Sequence, residues 1–363
     1  MQDHMPLQGI DYVELYVGNA KQFAYYMSRA FGFQVTAYAG METGIRDKAS
    51  YVLEQGDCRL VLTAGLGPES PITDFVKLHG DGVKEIAFAV DDAAAAYRAA
   101  VNRGAQSVHD VLEYRDEHGS VRKSAIGTYG DTVHSFVERE RYDGPFLPGY
   151  KAVNNRFGGV DKGLLAIDHM VGNVELGRME EWVRYYEQVL GFEQFKHFTD
   201  SDITTEYSAL MSKVMQNGGG KIKFPINEPA TGKRKSQIQE YLDFYRTPGV
   251  QHIAIKTDDI LSTVTDLTAA GVEFLNAPDT YYEDLWTRVG AIDEDVKRIQ
   301  DLNILVDRDE EGYLLQIFTK PLMDRPTLFL EIIQRKGSRG FGNGNFKALF
   351  EAIEKEQEKR GNL

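Results

Sequence analysis

The feature that most constrains the fold is a repeat as long as a domain. Ile10-Asp-Tyr12 is followed by Val17-Gly18-Asn19, Tyr25-Tyr26 and Ala30-Phe31-Gly32-Phe33. Ile167-Asp-His169 is followed by Val171-Gly172-Asn173, Tyr185-Tyr186 and Val189-Leu190-Gly191-Phe192. Each copy reads as a strand, a turn and a helix, closed by a glycine at the position where left-handed backbone ends a helix. A second pair matches as well. Gly82-Val-Lys-Glu85 runs to Asp91-Asp92, and Gly249-Val-Gln-His252 runs to Asp258-Asp259. A helical pattern follows each and stops at Gly104 or Gly271. Strand-like runs such as Ser50-Tyr-Val-Leu53 and Leu314-Leu-Gln-Ile-Phe318 fill the remainder. The repeat therefore predicts an α+β chain of two tandem domains. The turn-rich stretch 142–163, with Pro145, Pro148 and Gly158-Gly159, marks the boundary. The expected division is a first domain at 1–150, a linker at 151–164 and a second domain at 165–363, closed by a lid helix at 345–360.

The two halves differ at the positions that carry chemistry. His169, His252 and Glu331 each interrupt an apolar, strand-like run, where a polar group costs free energy unless it is compensated. They lie roughly eighty residues apart, so only a sheet can gather them. In the first half Tyr12 stands for His169, Glu85 for His252, and Glu138 is the expected counterpart of Glu331. A structural role common to both halves would keep similar residues in both, so a metal is expected only in the second. Two histidines and a carboxylate are the ligand set of non-haem Fe(II) oxygenases. Zinc accepts the same set, but the helical His-Glu-x-x-His spacing of metalloproteases is absent, and ligand type also admits Mn(II). A lone histidine in an apolar strand is more often a core residue. Two at equivalent positions, with a glutamate in a third strand, favour a metal.

The other histidines read differently. His134 and His197 are expected to be structural, and His79, His109 and His118, beside Gly or Asp, to be solvated. Gly340-Phe-Gly-Asn-Gly344 is a weak phosphate-loop match with no strand after it, and reads better as a hinge before the lid helix. Lys233-Arg-Lys235 reads as the entry of a helix capped by Ser236. Cys58 is the only cysteine, which excludes disulfides and cysteine clusters within one chain. The balance of 41 basic and 55 acidic residues, net −14, argues against nucleic acid and anionic membranes as partners. No run is long enough for a membrane span, and the N-terminus has no secretory pattern, so a cytoplasmic protein is expected.

The second half resembles the 4-hydroxyphenylpyruvate dioxygenase family. The motifs that carry the likeness include Asp168-His169-Met-Val171-Gly-Asn173, Ser208-Ala-Leu-Met-Ser212, Pro225-Ile-Asn227-Glu-Pro229, Lys235-Ser-Gln237 and Gly249-Val-Gln251-His252. Leu315-Gln316-Ile-Phe318, Arg325-Pro-Thr-Leu-Phe329-Leu-Glu331 and Gly340-Phe341-Gly342-Asn-Gly-Asn-Phe346 extend it. The resemblance is dense from about residue 165 onward and looser before it. It implies paired βαβββ modules of the vicinal-oxygen-chelate fold. It implies one Fe(II) per subunit, held by His169, His252 and Glu331, and O2 as co-substrate. The polar catalytic contacts would be Ser208, Asn227, Gln237, Gln251 and Gln316. Val171, Pro225, Phe318, Phe329, Phe341, Gly342 and Phe346 would line the rest of the substrate pocket. The partner would be a small 2-oxo acid and the protein a homo-oligomer. The implied reaction decarboxylates 4-hydroxyphenylpyruvate, hydroxylates its ring and shifts the side chain to give homogentisate. A sister enzyme with the same triad makes 4-hydroxymandelate, and its sequences typically depart at 225–227 and 346. The residues Pro225, Asn227 and Phe346 favour ring hydroxylation. Non-catalytic members of the fold need no metal triad. Extradiol ring-cleaving members would want a further acid–base histidine, for which the second half offers only His197.

Overall fold

Four copies of one unit, a strand and helix followed by three strands, make up the chain. The computed structural model describes residues 5–198, 209–230, 232, 234–283 and 285–362. The first unit runs β1 (Gly9–Tyr16), α1 (Ala20–Phe31), β2 (Gln34–Ala39), β3 (Lys48–Gln55) and β4 (Cys58–Gly65), followed by α2 (Pro71–His79). The second runs β5 (Gly82–Ala89), α3 (Ala93–Asn102), β6 (Ser107–Asp116), β7 (Gly119–Gly127) and β8 (Val133–Glu138), followed by β9 (Lys151–Ala152). The third is β10 (Ala166–Asn173), α4 (Met179–Leu190), β11 (Glu193–Phe198), β12 (Ala209–Gln216) and β13 (Lys223–Ala230), followed by α5 (Gln237–Tyr245). The fourth is β14 (Gly249–Lys256), α6 (Ile260–Ala269), the short helices α7 (Leu285–Val289) and α8 (Val296–Asp301), then β15 (Leu305–Arg308), β16 (Tyr313–Phe318) and β17 (Phe329–Lys336). The last element is α9 (Phe346–Lys359), within a residue or so of the expected lid helix. Among the described residues no helix is long and apolar enough to cross a membrane.

Each half forms one curled sheet, ordered β6-β7-β8-β5-β1-β4-β3-β2-β9 and β11-β12-β13-β10-β14-β17-β16-β15. The helices α1 and α4 form for the reasons legible in the repeat. Asn19 caps α1 by accepting a bond from Gln22 N–H, and Met27, Ala30 and Phe31 line its buried face. Gly32 and Gly191 close the two helices at φ +84° and +69°, where only glycine is free of strain.

Strand pairing identifies equivalent positions in the two halves. Tyr12 lies opposite Ala87 and His169 opposite Ala254, so the match of Tyr12 to His169 holds. On the next strand Ala87 pairs with Ser135, and Ala254 pairs with Glu331. Ser135, not Glu138, is therefore the counterpart of Glu331. The aromatic-x-Glu spacing of Phe136-Val-Glu138 mimics that of Phe329-Leu-Glu331, but the strand register is three residues away. Glu138 corresponds instead to Gln334: the first accepts Ala93 N–H at the start of α3, the second Ile260 N–H at the start of α6.

The halves share a packed seam. Tyr186 and Phe224 of the second half enclose His134 of the first, whose Nε2 is 2.8 Å from Tyr186 Oη. The structural reading of His134 holds. His79 is also buried and not solvated: Nδ1 lies 2.6 Å from Tyr245 O and Nε2 2.8 Å from Asp131. Its place beside Gly80-Asp81, at a helix end, reads as exposed in sequence, but the second half covers that end.

Burial pushes the His134 imidazole down to about 3, from an ordinary 6.5. The folded chain thus keeps it neutral while the unfolded chain gains a proton below pH 6.5. Stability is lost as pH falls through that window, by about 1.4 kcal/mol per unit from this group. Urea unfolding between pH 6.5 and 5 should show a decline about 2 kcal/mol steeper for the wild type than for His134→Phe. Parallel declines would mean that His134 is not held neutral.

Candidate metal centre

Three adjacent strands gather the trio. His169 on β10 and Glu331 on β17 both pair with Ala254 on β14, and His252 lies two residues from Ala254 on the same face. The small Ala254 side chain leaves the point between them free. Two β-bulges then set the imidazoles. The β10–β14 register shifts between Ile167 and His169, leaving Asp168 as the extra residue. It shifts again between Val171 and Gly172, leaving Gln251 as the extra residue on β14. A bulge re-aims a side chain that would otherwise point to the opposite face. Asp168 Oδ1 thereby reaches His169 Nδ1 at 2.8 Å, and Gln251 Oε1 reaches His252 Nδ1 at 3.1 Å. With each Nδ1–H engaged, both Nε2 atoms are left to bind a cation.

The donor set suits a metal. One nitrogen of each histidine and one Glu331 oxygen lie within 4.8 Å of one another, all on buried residues. Glu331 Oε2 is 3.2 Å from His169 Nε2 and 3.3 Å from His252 Nε2, and its Oε1 is buried with no hydrogen-bond partner. Burial opposes the charge on Glu331, but the two imidazoles outweigh it and push the carboxyl down to about 2. Burial also works against a charged His169, yet Glu331 and Asp168 outweigh that and favour its proton. A divalent cation would take that proton's place. At His252 burial prevails and favours the neutral ring.

Arg335 holds Asp168 in turn. Its Nε and Nη2 donate to the two carboxylate oxygens at 2.7 Å each. Burial works against the Asp168 charge, but Arg335 outweighs it and holds the carboxyl well below its ordinary range. Arg335 Nη1 donates to Gly340 O at 2.6 Å, and the guanidinium sits 5.5 Å from the Phe341 ring centre. The hinge before α9 is thus tied to the residue that orients His169. Gly342, at φ +76°, packs so closely that a Cβ there would lie 2.6 Å from Gln316 Nε2.

A cavity opens on the trio. His252 stacks on Phe329 at 4.8 Å, Phe318 stands edge-on to His252, and Phe341 stands edge-on to His169 at 5.0 Å. Val171, Pro225, Asn227, Gln237, Gln251 and Phe346 complete the expected wall. Gln237 arrives as the first residue of α5, whose N-terminus Ser236 caps as expected. Gln316 is buried and, with Gly342, lies outside the cavity wall in this structure. Ser208 and Lys233, and the side chain of His197, lie outside the described residues.

Five further residues line the cavity: Leu210, Ser212 and Val214 on β12, and Leu349 and Phe350 on α9. The first three alternate along one strand, so period-2 reading of Ser208-Ala-Leu-Met-Ser212 would have found them. Arg360 bonds Glu240 of α5 at 2.8 Å, fastening the far end of α9 over the cavity.

Comparison with known proteins agrees with this geometry. A family model described as Glyoxalase/Bleomycin resistance protein/Dioxygenase superfamily matches residues 166–317. One described as Hydroxyphenylpyruvate dioxygenase, HPPD, N-terminal, matches residues 1–146. The 4-hydroxyphenylpyruvate dioxygenase of Yarrowia lipolytica is 49% identical, over 98% of this chain and 94% of that protein. That of Dictyostelium discoideum is 48% identical over 98% of this chain and 100% of that protein. The chain belongs to the 4-hydroxyphenylpyruvate dioxygenase family. Among solved structures, a mutant of 4-hydroxymandelate synthase from Streptomyces coelicolor superposes with a TM-score of 0.87 at 34% identity, covering 97% of this chain and 100% of the other. Within the family frame, the two tandem vicinal-oxygen-chelate halves differ in that, among the described residues, the one cluster able to hold a metal sits in the second.

Proposed function

We propose that this chain is an Fe(II)-dependent dioxygenase acting on 4-hydroxyphenylpyruvate. It combines the 2-oxo acid with O2, releases CO2, hydroxylates the ring and moves the side chain to the neighbouring carbon, giving homogentisate. The observation that carries this reading is a His169–His252–Glu331 cluster facing an aromatic cavity, in a chain 49% identical end to end to a relative named for the activity. Bound Fe(II) would supply open positions for the 2-oxo acid and for O2. Two neutral imidazoles and one carboxylate leave a net positive charge there. An anionic substrate is drawn to it even though the chain carries −14 overall.

The protein's own residues do the positioning. Phe318, Phe329, Phe341 and Phe346 hold the ring, with Val171 and Pro225 on the cavity wall. Asn227, Ser212 and Gln237 offer polar contacts, and Gln251 keeps its amide N–H free because its oxygen already serves His252. Ser208 is assigned a polar contact by its motif alone, and Gln316 and Gly342 form the seat of the lid hinge. α9 excludes water from the reacting groups.

Incubating Fe(II)-loaded protein with 4-hydroxyphenylpyruvate and O2 and separating the products tests the reading. Homogentisate is expected; 4-hydroxymandelate as the main product would transfer the chain to the sister activity. Phe346→Ile enlarges the cavity beneath the lid helix. It should shift the product ratio severalfold while iron content stays that of the wild type. Loss of iron in this variant would show that Phe346 supports the metal and not the ring.

A further inference from the structure

The first half keeps a lidded pocket although its metal ligands are gone. Strand registers place Tyr12, Glu85 and Ser135 where the second half has His169, His252 and Glu331. The same registers place Lys123 at the position of Gln316, Glu14 at that of Val171, Thr63 at that of Asn227 and Ser50 at that of Ser212. The covering segment is repeated too. Phe146 stands edge-on to Tyr12 at 5.1 Å and 75°, as Phe341 stands to His169 at 5.0 Å and 72°. Arg139 donates to Asp11 at 2.7 Å and to Phe146 O, as Arg335 donates to Asp168 and Gly340 O. Under this cover lies a cavity, open in part to solvent, walled in part by Tyr12, Glu14, Lys48, Lys123, Phe146 and Tyr150.

The charges in this space exclude a metal and define another occupant. Glu85 is matched: it accepts Tyr12 Oη–H at 2.5 Å and the Lys123 ammonium at 2.7 Å. That ammonium stands where a cation would have to sit. Glu14 has no such contact, although Lys48 and Lys123 act on it from a distance. It accepts one bond, from Thr63 Oγ1–H at 2.6 Å, and no cation among the described residues forms an ion pair with it. Burial and the neighbouring Glu85 raise its carboxyl above the ordinary range, against the opposing pull of Lys48, Lys123 and the Thr63 bond. Lys48, on the same wall, also has no ion-pair partner among the described residues. The cavity therefore presents an anion and a cation that attract one another without forming an ion-pair contact, between aromatic walls. A zwitterionic ligand would contact both groups, whereas a ligand of a single charge would contact only one.

We propose that this first-half cavity binds an aromatic α-amino acid, with its ammonium at Glu14, its carboxylate toward Lys48 and its ring against Phe146 and Tyr150. The site is separate from the metal centre and does not rest on the identity of the metal or of the substrate.

Calorimetric titration of the full, metal-loaded chain with L-phenylalanine tests it, with phenethylamine as the probe that lacks the carboxylate. Saturable binding of L-phenylalanine is expected, weakened by at least about tenfold in Glu14→Gln and in Lys48→Met, since each removes a charge-assisted contact. Phenethylamine should bind the wild type and Lys48→Met equally and lose affinity only in Glu14→Gln. Turnover of 4-hydroxyphenylpyruvate by both variants should match the wild type, which also shows that they fold. No saturation by L-phenylalanine would overturn the proposal. Undiminished affinity in Glu14→Gln would overturn it equally, by placing the ligand elsewhere.

Discussion

Glu331→Ala should yield a folded protein that neither retains the metal nor turns over substrate. Glu331 is the only charged donor of the trio and is buried to within 2% of full exclusion from solvent. Without it, a divalent cation would face two neutral imidazoles and a wall of phenylalanine rings, with its charge uncompensated. Turnover should fall by more than about a thousandfold, the scale of several kcal/mol of lost charge stabilisation. Folding should survive because the removed carboxylate carries a buried oxygen with no partner, and both histidines keep their Nδ1 bonds to Asp168 and Gln251. Thermal unfolding offers a second readout. A metal that binds only the folded chain stabilises it by about 4 kcal/mol at a thousandfold excess over its dissociation constant. Added Fe(II) should therefore raise the wild-type melting temperature and leave the variant's unchanged. An active variant with a full complement of iron would sink the assignment of the trio.

The trio was legible in the sequence for a physical reason: charged or polar residues inside apolar strands stand out, and the repeat shows the same strands without them. The helices were legible because Asn19, Gly32 and Gly191 are cap residues with one conformational use each. Strand register was not. Spacing along one strand says nothing about which residue lies beside it on the next, so Phe136-Val-Glu138 matched the wrong triplet and Ser135 passed unnoticed. Ser208 and Ser212 share one motif; Ser208 lies outside the described residues, and Ser212 stands at the cavity wall. His79 misled because its burial comes from Tyr245 and Asp131, neither near it in sequence. The bulges left a readable trace after all. Each histidine of the trio directly follows a residue, Asp168 or Gln251, that can accept from its Nδ1–H.

Arg335→Met should separate two roles that the structure joins. Arg335 is the partner that keeps Asp168 charged inside the protein, and Asp168 is what aims His169. Removing the guanidinium leaves a buried carboxylate short of its cation, a change that costs about 3–5 kcal/mol where such pairs have been broken. It should also weaken metal binding by about 10- to 100-fold, the range seen when a histidine ligand loses its orienting partner. The first half supplies the control. Arg139 makes the same bond to Asp11, but Arg59 also reaches Asp11 at 3.0 Å and no described metal cluster lies nearby. Arg139→Met should therefore cost less stability and leave metal affinity unchanged. The double variant Asp168→Leu/Arg335→Met completes the cycle, because replacing a whole buried pair with apolar groups is often neutral for stability. Denaturant unfolding of that variant should recover most of the loss, while a metal titration should not. If affinity recovered together with stability, Asp168 would be a packing residue and His169 would hold its orientation without it. Recovery of stability alone is the outcome expected from a fold that built the Asp–Arg clamp into both halves and gave it a metal to serve in only one.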